Sequence, residues 1–278
     1  MNFKLKALVA ALVLSASATS ANAAIDANAG NSELFFSAWD SVAGVGYTYD
    51  LNWGMFLNDI VGADQVASPA GNTILANNAS HVQTNGNNIL FDDVLTGLPF
   101  GLVSNVEWNL GAYDTSGRFR LLMTQGDSGL PFASINGDIK AAATILSVYT
   151  PQANGKAAVA GNDTYSVTAV ADGVAYAGNL GNNLAGRTVD TTNVLGGTSF
   201  MYLLANTSLQ AATLAQPSFS QQLFADGNKA IVAKTYFQDG NWRLQVAAVP
   251  EPETNAMFLA GLGLMGFIAR RRRNSLTK

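Results

Sequence analysis

Ser128 has the one setting in this chain that could make a hydroxyl a nucleophile, the tetrapeptide Gly126-Asp127-Ser128-Gly129. His81 precedes it and acids such as Asp92 lie between, so a base and an orienting carboxylate occur in the order His, Asp, Ser. A triad is defined by geometry rather than order, and glycine-flanked Asp-Ser is also ordinary turn composition after a strand. The turn is the expectation. His81 is the sole histidine and cysteine is absent, which excludes thiolate chemistry and leaves only carboxylates to complete a metal site. His81 is expected to be a solvated loop residue. Asp26–Asn31 (DANAGN) spaces oxygen donors like a calcium loop but lacks the twelfth-position glutamate, so it reads as a flexible N-terminal tail. Ca²⁺ binding by other Asp/Asn/Gly loops stays open. Asp92-Asp93 could be taken for paired carboxylates. Neighbours on a strand point apart, so these two are expected to be solvated or helix-capping. Trp39, Trp53, Trp108 and Trp242 could stack on pyranose rings. Trp108 and Trp242 lie in alternating segments and are expected in the core, leaving Trp39 and Trp53 as candidates. No catalytic residue, metal ligand or cofactor is assigned.

The elements that would position these residues are mostly strands. Glu33–Trp39, Val45–Leu51 and Thr198–Leu204 are apolar and aromatic or β-branched. Val103–Tyr113 puts Val106, Trp108 and Leu110 on one face and Glu107 and Asn109 on the other, the period of a half-buried strand. Asp114–Gly117 turns the chain and Arg118–Thr124 returns as its partner. Lys229–Phe237, Asp239-Gly240 and Trp242–Ala248 form a second hairpin with a primed turn. Asp172-Gly173 predicts a third, between Thr164–Val170 and Gly173–Ala177. Helix is expected over Ile139–Tyr149, capped by Asp138, and over Asn52–Val61. Gly71–Asn88, Ala153–Asn162 and Gly178–Gly186 read as loops. The fold class is mainly β: an antiparallel, sandwich-like ectodomain with a few short helices, plus one C-terminal transmembrane helix.

Both ends of the chain carry export signals. Met1–Ala23 has a basic start, an apolar run and the small-residue site Ala21-Asn22-Ala23, a signal peptide with cleavage expected before Ala24. Residues 24–248 are then the ectodomain. Between 24 and 249 there are 8 basic and 17 acidic residues, a net of −9, which disfavours nucleic acid and anionic lipid as partners. Residues 249–278 form a tail: Val249-Pro250-Glu251-Pro252, an apolar run over 255–269, and Arg270-Arg271-Arg272-Arg273. Prolines keep the motif extended. A 15-residue helix spans about 22 Å against a hydrocarbon core of ~30 Å, a shortfall that local thinning and snorkelling arginines can cover. Four arginines should stay cytoplasmic as a stop-transfer signal.

Pro-Glu-Pro, a glycine-containing apolar helix and an arginine cluster, in that order, resemble the PEP-CTERM sorting domain. The resemblance implies recognition by an exosortase, a membrane-embedded cysteine transpeptidase-like enzyme, in a diderm bacterium that usually makes exopolysaccharide. A weaker resemblance links Asn31–Asp40, Tyr47–Leu51 and Trp108–Asp114 to segments of PEP-CTERM proteins with a shared mainly-β ectodomain. Gly126–Gly129 resembles the nucleophile segment of chymotrypsin-like proteases. The surroundings of His81 do not, and the 47 residues from His81 to Ser128 are too few for that fold's two barrels.

The expected protein is a non-enzymatic envelope or extracellular-matrix component. It is exported across the inner membrane, held there transiently by its C-terminal helix, and delivered to the outer surface or medium. Signal peptidase and an exosortase are its processing partners, and exopolysaccharide or biofilm its expected association. A carbohydrate-binding module is the alternative, and a secreted hydrolase the third reading.

Overall fold

A computed structural model describes residues 25–28, 30–51, 56–63, 65–66, 89–102, 105–126, 136–160, 163–181, 191–207, 219–227 and 229–250. In chain order these form a two-residue hairpin β1 (Ala27–Asn28) and β2 (Asn31–Ser32), then β3 (Phe35–Asp40), β4 (Val45–Asp50), α1 (Leu57–Val61) and β5 (Ile89–Val94). They continue with β6 (Val106–Asp114), β7 (Arg120–Thr124), α2 (Asn136–Asn154), β8 (Ala157–Ala160) and β9 (Asp163–Ala169). Two 3₁₀ helices (Val170–Ala175, Ala177–Leu180) precede β10 (Asn193–Val194), β11 (Thr198–Asn206), β12 (Phe219–Leu223), β13 (Ala225–Asp226), β14 (Lys229–Gln238) and β15 (Asn241–Pro250).

The mainly antiparallel β body takes the form of one curled sheet, in the order β5-β15-β14-β11-β7-β6-β3-β4-β9-β8. Strand β11 is the joint. Its first residues, Thr198–Phe200, pair with β14, and Met201–Ala205 pair with β7. Side-chain alternation gives the sheet two apolar faces. The inner one gathers Leu90, Trp242 and Ile231 from one end of the strand order and Phe36, Tyr47 and Trp108 from the other into a single core. That both ends feed one core is what makes the sheet curl. Phe36 stacks on Trp108 with ring centres 5.7 Å apart.

The loop after β5 closes the curl. The Tyr47 hydroxyl donates to the Thr96 carbonyl at 2.7 Å, and the Thr96 hydroxyl and Tyr49 hydroxyl both donate to the Asp163 carboxylate. Gly97 (φ 74°) lies so close to the Tyr165 ring that a Cβ would come within 2.3 Å of it. Burial, with neighbouring Tyr49, Tyr165 and Asp163, pushes the Tyr47 phenol well above its ordinary value, so it stays a donor.

Helix α2 covers the outer face. Ile139, Ala142, Ala143, Leu146, Tyr149 and Ala153 recur at helical spacing and pack on Phe35, Trp39, Tyr113, Leu121 and Met123. The helix is longer than expected, and Asp138 lies in its first turn rather than at a cap. Tyr149 stacks on Phe35 and hydrogen-bonds the Thr48 hydroxyl.

The hairpins β6–β7 and β14–β15 form as the alternation and turn chemistry predict, with Asp114 opposite Arg120 and Gln238 opposite Asn241. Asp239 and Gly240 both have positive φ, 52° and 81°. The third expected hairpin does not form. The Asp172 carboxylate accepts from the Ala169 N–H at 2.8 Å and pairs with Lys156 at 2.7 Å, closing a 3₁₀ turn where Gly173–Ala177 would have been a strand. Ala153–Asn162, expected as loop, holds the end of α2 and strand β8. Asp26–Asn31 is not a free tail: β1 pairs with β2, and the Glu33 N–H donates to the Asp26 carbonyl. Of the helix expected over Asn52–Val61, α1 supplies Leu57–Val61. The loop expected at Gly71–Asn88 lies outside the described residues.

Candidate functional site

Two places in the body are candidate sites, and they sit at opposite ends of strand β15. At one end the chain leaves the sheet. Strand β15 pairs with β14 down to Ala230 opposite Val249 and Lys229 opposite Pro250. Its pairing with β5 stops earlier, at Ala247 opposite Ile89. Val249 and Pro250 of the sorting motif are therefore strand residues, and no linker separates motif from body. Glu251, Pro252, the apolar run 255–269 and Arg270–Arg273 lie outside the described residues. Among the described residues no helix is long and apolar enough to cross a membrane.

The expected cleavage site Ala21, Ala23 and Ala24 also lies outside the described residues. Ile25, one residue on, is clasped by α2: its N–H donates to Asn154 Oδ1 and its carbonyl accepts from Asn154 Nδ2, each at 3.0 Å. The body is thus gripped immediately after the expected start of the mature chain.

At the other end of β15, about 26 Å from Pro250 along eight strand residues, a groove of about 360 Å³ opens at the mouth of the curl. Its walls are the loop Leu95–Gly101 and the tip of the β14–β15 hairpin. Phe237 is 41% exposed there, held edge-on against Trp242 with ring centres 5.4 Å apart at 72°. Trp242 is fixed in turn, its Nε1–H donating to the Gly101 carbonyl at 3.2 Å. Leu102 (70% exposed) and Val42 (82%) lie at this same end of the sheet. Sequence reasoning placed Trp242 in the core correctly but missed Phe237. The available signal was its position next to the turn, where a strand's inner face runs out of cover.

The acidic candidates are engaged in the framework. Asp92 is in β5, neither freely solvated nor capping a helix. Its carboxylate accepts from the Tyr236 hydroxyl (2.7 Å), Gln245 Nε2 (2.9 Å) and Arg243 Nε (3.1 Å). Burial alone would raise its pKa, but these hydrogen bonds and the arginine charge hold it below the ordinary range. Asp93 caps its neighbour, accepting from the Val94 N–H. Asp114 and Arg120 are a fully buried ion pair at 2.7 Å. Arg120 Nη1 donates to the carbonyls of Gly62 (2.7 Å) and Gln65 (3.1 Å), and Nη2 to the Asn58 side chain, tying α1 to the sheet. Glu33, 8% exposed, is pushed up to about 7, first by burial and then by the charges of Asp50 and Asp26.

Trp39 is 2% exposed, and its Nε1–H donates to Glu107 at 2.8 Å, so it cannot serve as a sugar platform. Trp108 and Trp242 are buried as expected. Trp53, His81, Asp127 and Ser128 lie outside the described residues. Among the described residues no group of three or more His, Asp or Glu side chains could hold a metal ion.

No curated protein and no solved structure matches the chain. A family model does: the PEP-CTERM protein-sorting motif, over residues 248–273. That match begins on the buried Ala248, inside β15, and runs through the Pro-Glu-Pro motif and the arginine cluster. It covers about a tenth of the sequence and describes the route of the protein rather than the work of its β body. By that motif the chain is a PEP-CTERM domain-containing protein.

Proposed function

We propose that this is an exported, non-enzymatic envelope or matrix protein whose tail is read by an exosortase. The β body is transiently held at the inner membrane and then delivered to the outer surface or medium, in association with exopolysaccharide. The observation that carries the reading is the sorting motif, which continues without a spacer from the last strand of the body. Extended backbone with two prolines and a charge suits recognition in an enzyme cleft. A binding role for the body is supported by the engagement of Asp92, Asp114 and Asp163 in framework hydrogen bonds, and by an open groove at the end of β15 away from the tail.

Changing Pro250→Ala together with Glu251→Ala tests the sorting role, because the apolar run and the arginines stay intact. Membrane insertion should persist while maturation stops, and the uncleaved form should accumulate in the inner membrane. Normal release of the double variant, in a strain shown to hold an exosortase, would reduce the tail to an ordinary anchor.

A further inference from the structure

We infer that the groove at the mouth of the curled sheet is a binding site for a neutral saccharide chain, with one ring seated against Phe237. This names the ligand class for the binding role proposed above, and it is read in purified protein without reference to sorting.

The site is built from two segments distant in sequence. The loop Leu95–Gly101 follows β5, and Phe237, Gly240, Asn241 and Trp242 belong to the β14–β15 hairpin. Each wall is fixed independently. The loop is pinned by Tyr47 donating to the Thr96 carbonyl and by the Thr96 hydroxyl on Asp163. The hairpin tip is set by the Asp239-Gly240 turn and by Asn241 Nδ2 donating to the Asp239 carbonyl at 3.2 Å. Trp242 joins the walls through its bond to Gly101. The groove therefore exists before any ligand arrives, which lowers the ordering cost of binding.

Its chemistry selects the ligand. Among the described residues no charged side chain lines it, and the surrounding body carries a net of −9, which disfavours phosphate, sulfate and uronate groups. The volume of about 360 Å³ lies at the small-ligand end of pocket sizes, and the groove is open to solvent rather than enclosed. Phe237 offers an exposed aromatic ring whose orientation Trp242 fixes. Beside it stand an amide (Asn241) and the backbone of Gly101 and Gly240, where an added Cβ would meet no atom within 4 Å. A rigid aromatic face flanked by neutral hydrogen-bonding groups matches a pyranose, which has an apolar C–H face and a hydroxyl rim. A purely apolar peptide would leave that polar backbone unmatched.

The test uses the full chain in a zwitterionic detergent without a sugar headgroup, applied to an array of neutral and acidic oligosaccharides. Calorimetry follows with the best-retained glycan. Phe237→Ala should weaken binding at least tenfold. Gly101→Tyr should abolish it, because a Cβ there meets no atom within 4 Å and the new ring would enter the groove without disturbing the core. Circular dichroism and an unchanged melting temperature would show that both variants fold. Retention of neutral glycans with loss in both variants supports the site. Three results overturn it: no neutral glycan retained, equal binding by wild type and both variants, or displacement of the glycan by an apolar peptide that binds more tightly. The double variant in the sorting motif should bind glycan like wild type, so failure here and failure of the sorting reading are separable.

Discussion

Glu33 is the most informative residue to perturb in the body. It is nearly buried beside Asp50 and Asp26, and its pKa rises from 4.5 to about 7, with burial the largest cause. The folded chain holds this proton more tightly than the unfolded chain. Its contribution to stability is therefore complete below pH 4.5 and is lost as pH rises through 7. Each pH unit between the two values is worth about 1.4 kcal/mol, which gives about 3 kcal/mol as an upper bound. Residual solvent contact reduces that to roughly 2 kcal/mol. Glu33→Gln places a neutral amide where the protonated acid stood and removes the charge that opposes Asp50. The variant should match wild type within about 0.5 kcal/mol at pH 4.5 and exceed it by roughly 2 kcal/mol at pH 8. Urea unfolding at both pH values reads the difference directly, as a midpoint shift of about 1 M at pH 8. Other carboxylates titrate in both proteins and cancel in the comparison. Equal midpoints at pH 8, or a less stable variant there, would refute the argument.

Arg120→Ala should cost about 3–5 kcal/mol in chemical unfolding, since it strands the buried Asp114 carboxylate and the carbonyls that Arg120 caps. Arg120→Met with Asp114→Leu should cost less, because no lone charge remains buried. Gly240→Ala meets open space but must hold φ 81°, so a loss of about 1–2 kcal/mol is expected, read as a lower melting temperature. Neutralising Arg270–Arg273 together should weaken membrane retention or orientation, measured by fractionation and protease accessibility. Unchanged insertion and processing would count against a stop-transfer role.

What the sequence disclosed was local. The β6–β7 and β14–β15 hairpins were legible because period-2 patterning flanks turn residues with fixed backbone demands. The sorting tail was legible for a similar reason, as three unlike features in order. Pairings that bring distant segments together were not legible. Nothing in Thr198–Asn206 says that one half of β11 pairs with β14 and the other with β7. Trp39 was not legible as core because alternation reveals a face but not that the second 3₁₀ helix, Ala177–Leu180, packs over its strand. Asp172 promised a hairpin, yet its reach to the Ala169 N–H and Lys156 closed a 3₁₀ turn. The groove escaped notice because its walls lie about 140 residues apart in the chain and neither alone is concave.

The absence of slack between β15 and the sorting motif has a mechanical consequence. A pull on the tail along the strand axis loads the whole β14–β15 ladder at once, from Pro250 opposite Lys229 to Asn241 opposite Gln238, together with the shorter ladder to β5. Bonds strained side by side share the force, whereas a pull across the strand would open them one after another from Pro250. While the tail remains held in a membrane, drag on the body along that axis is met by the stiffest direction of its sheet. Sideways drag would peel the last residues of β15 first.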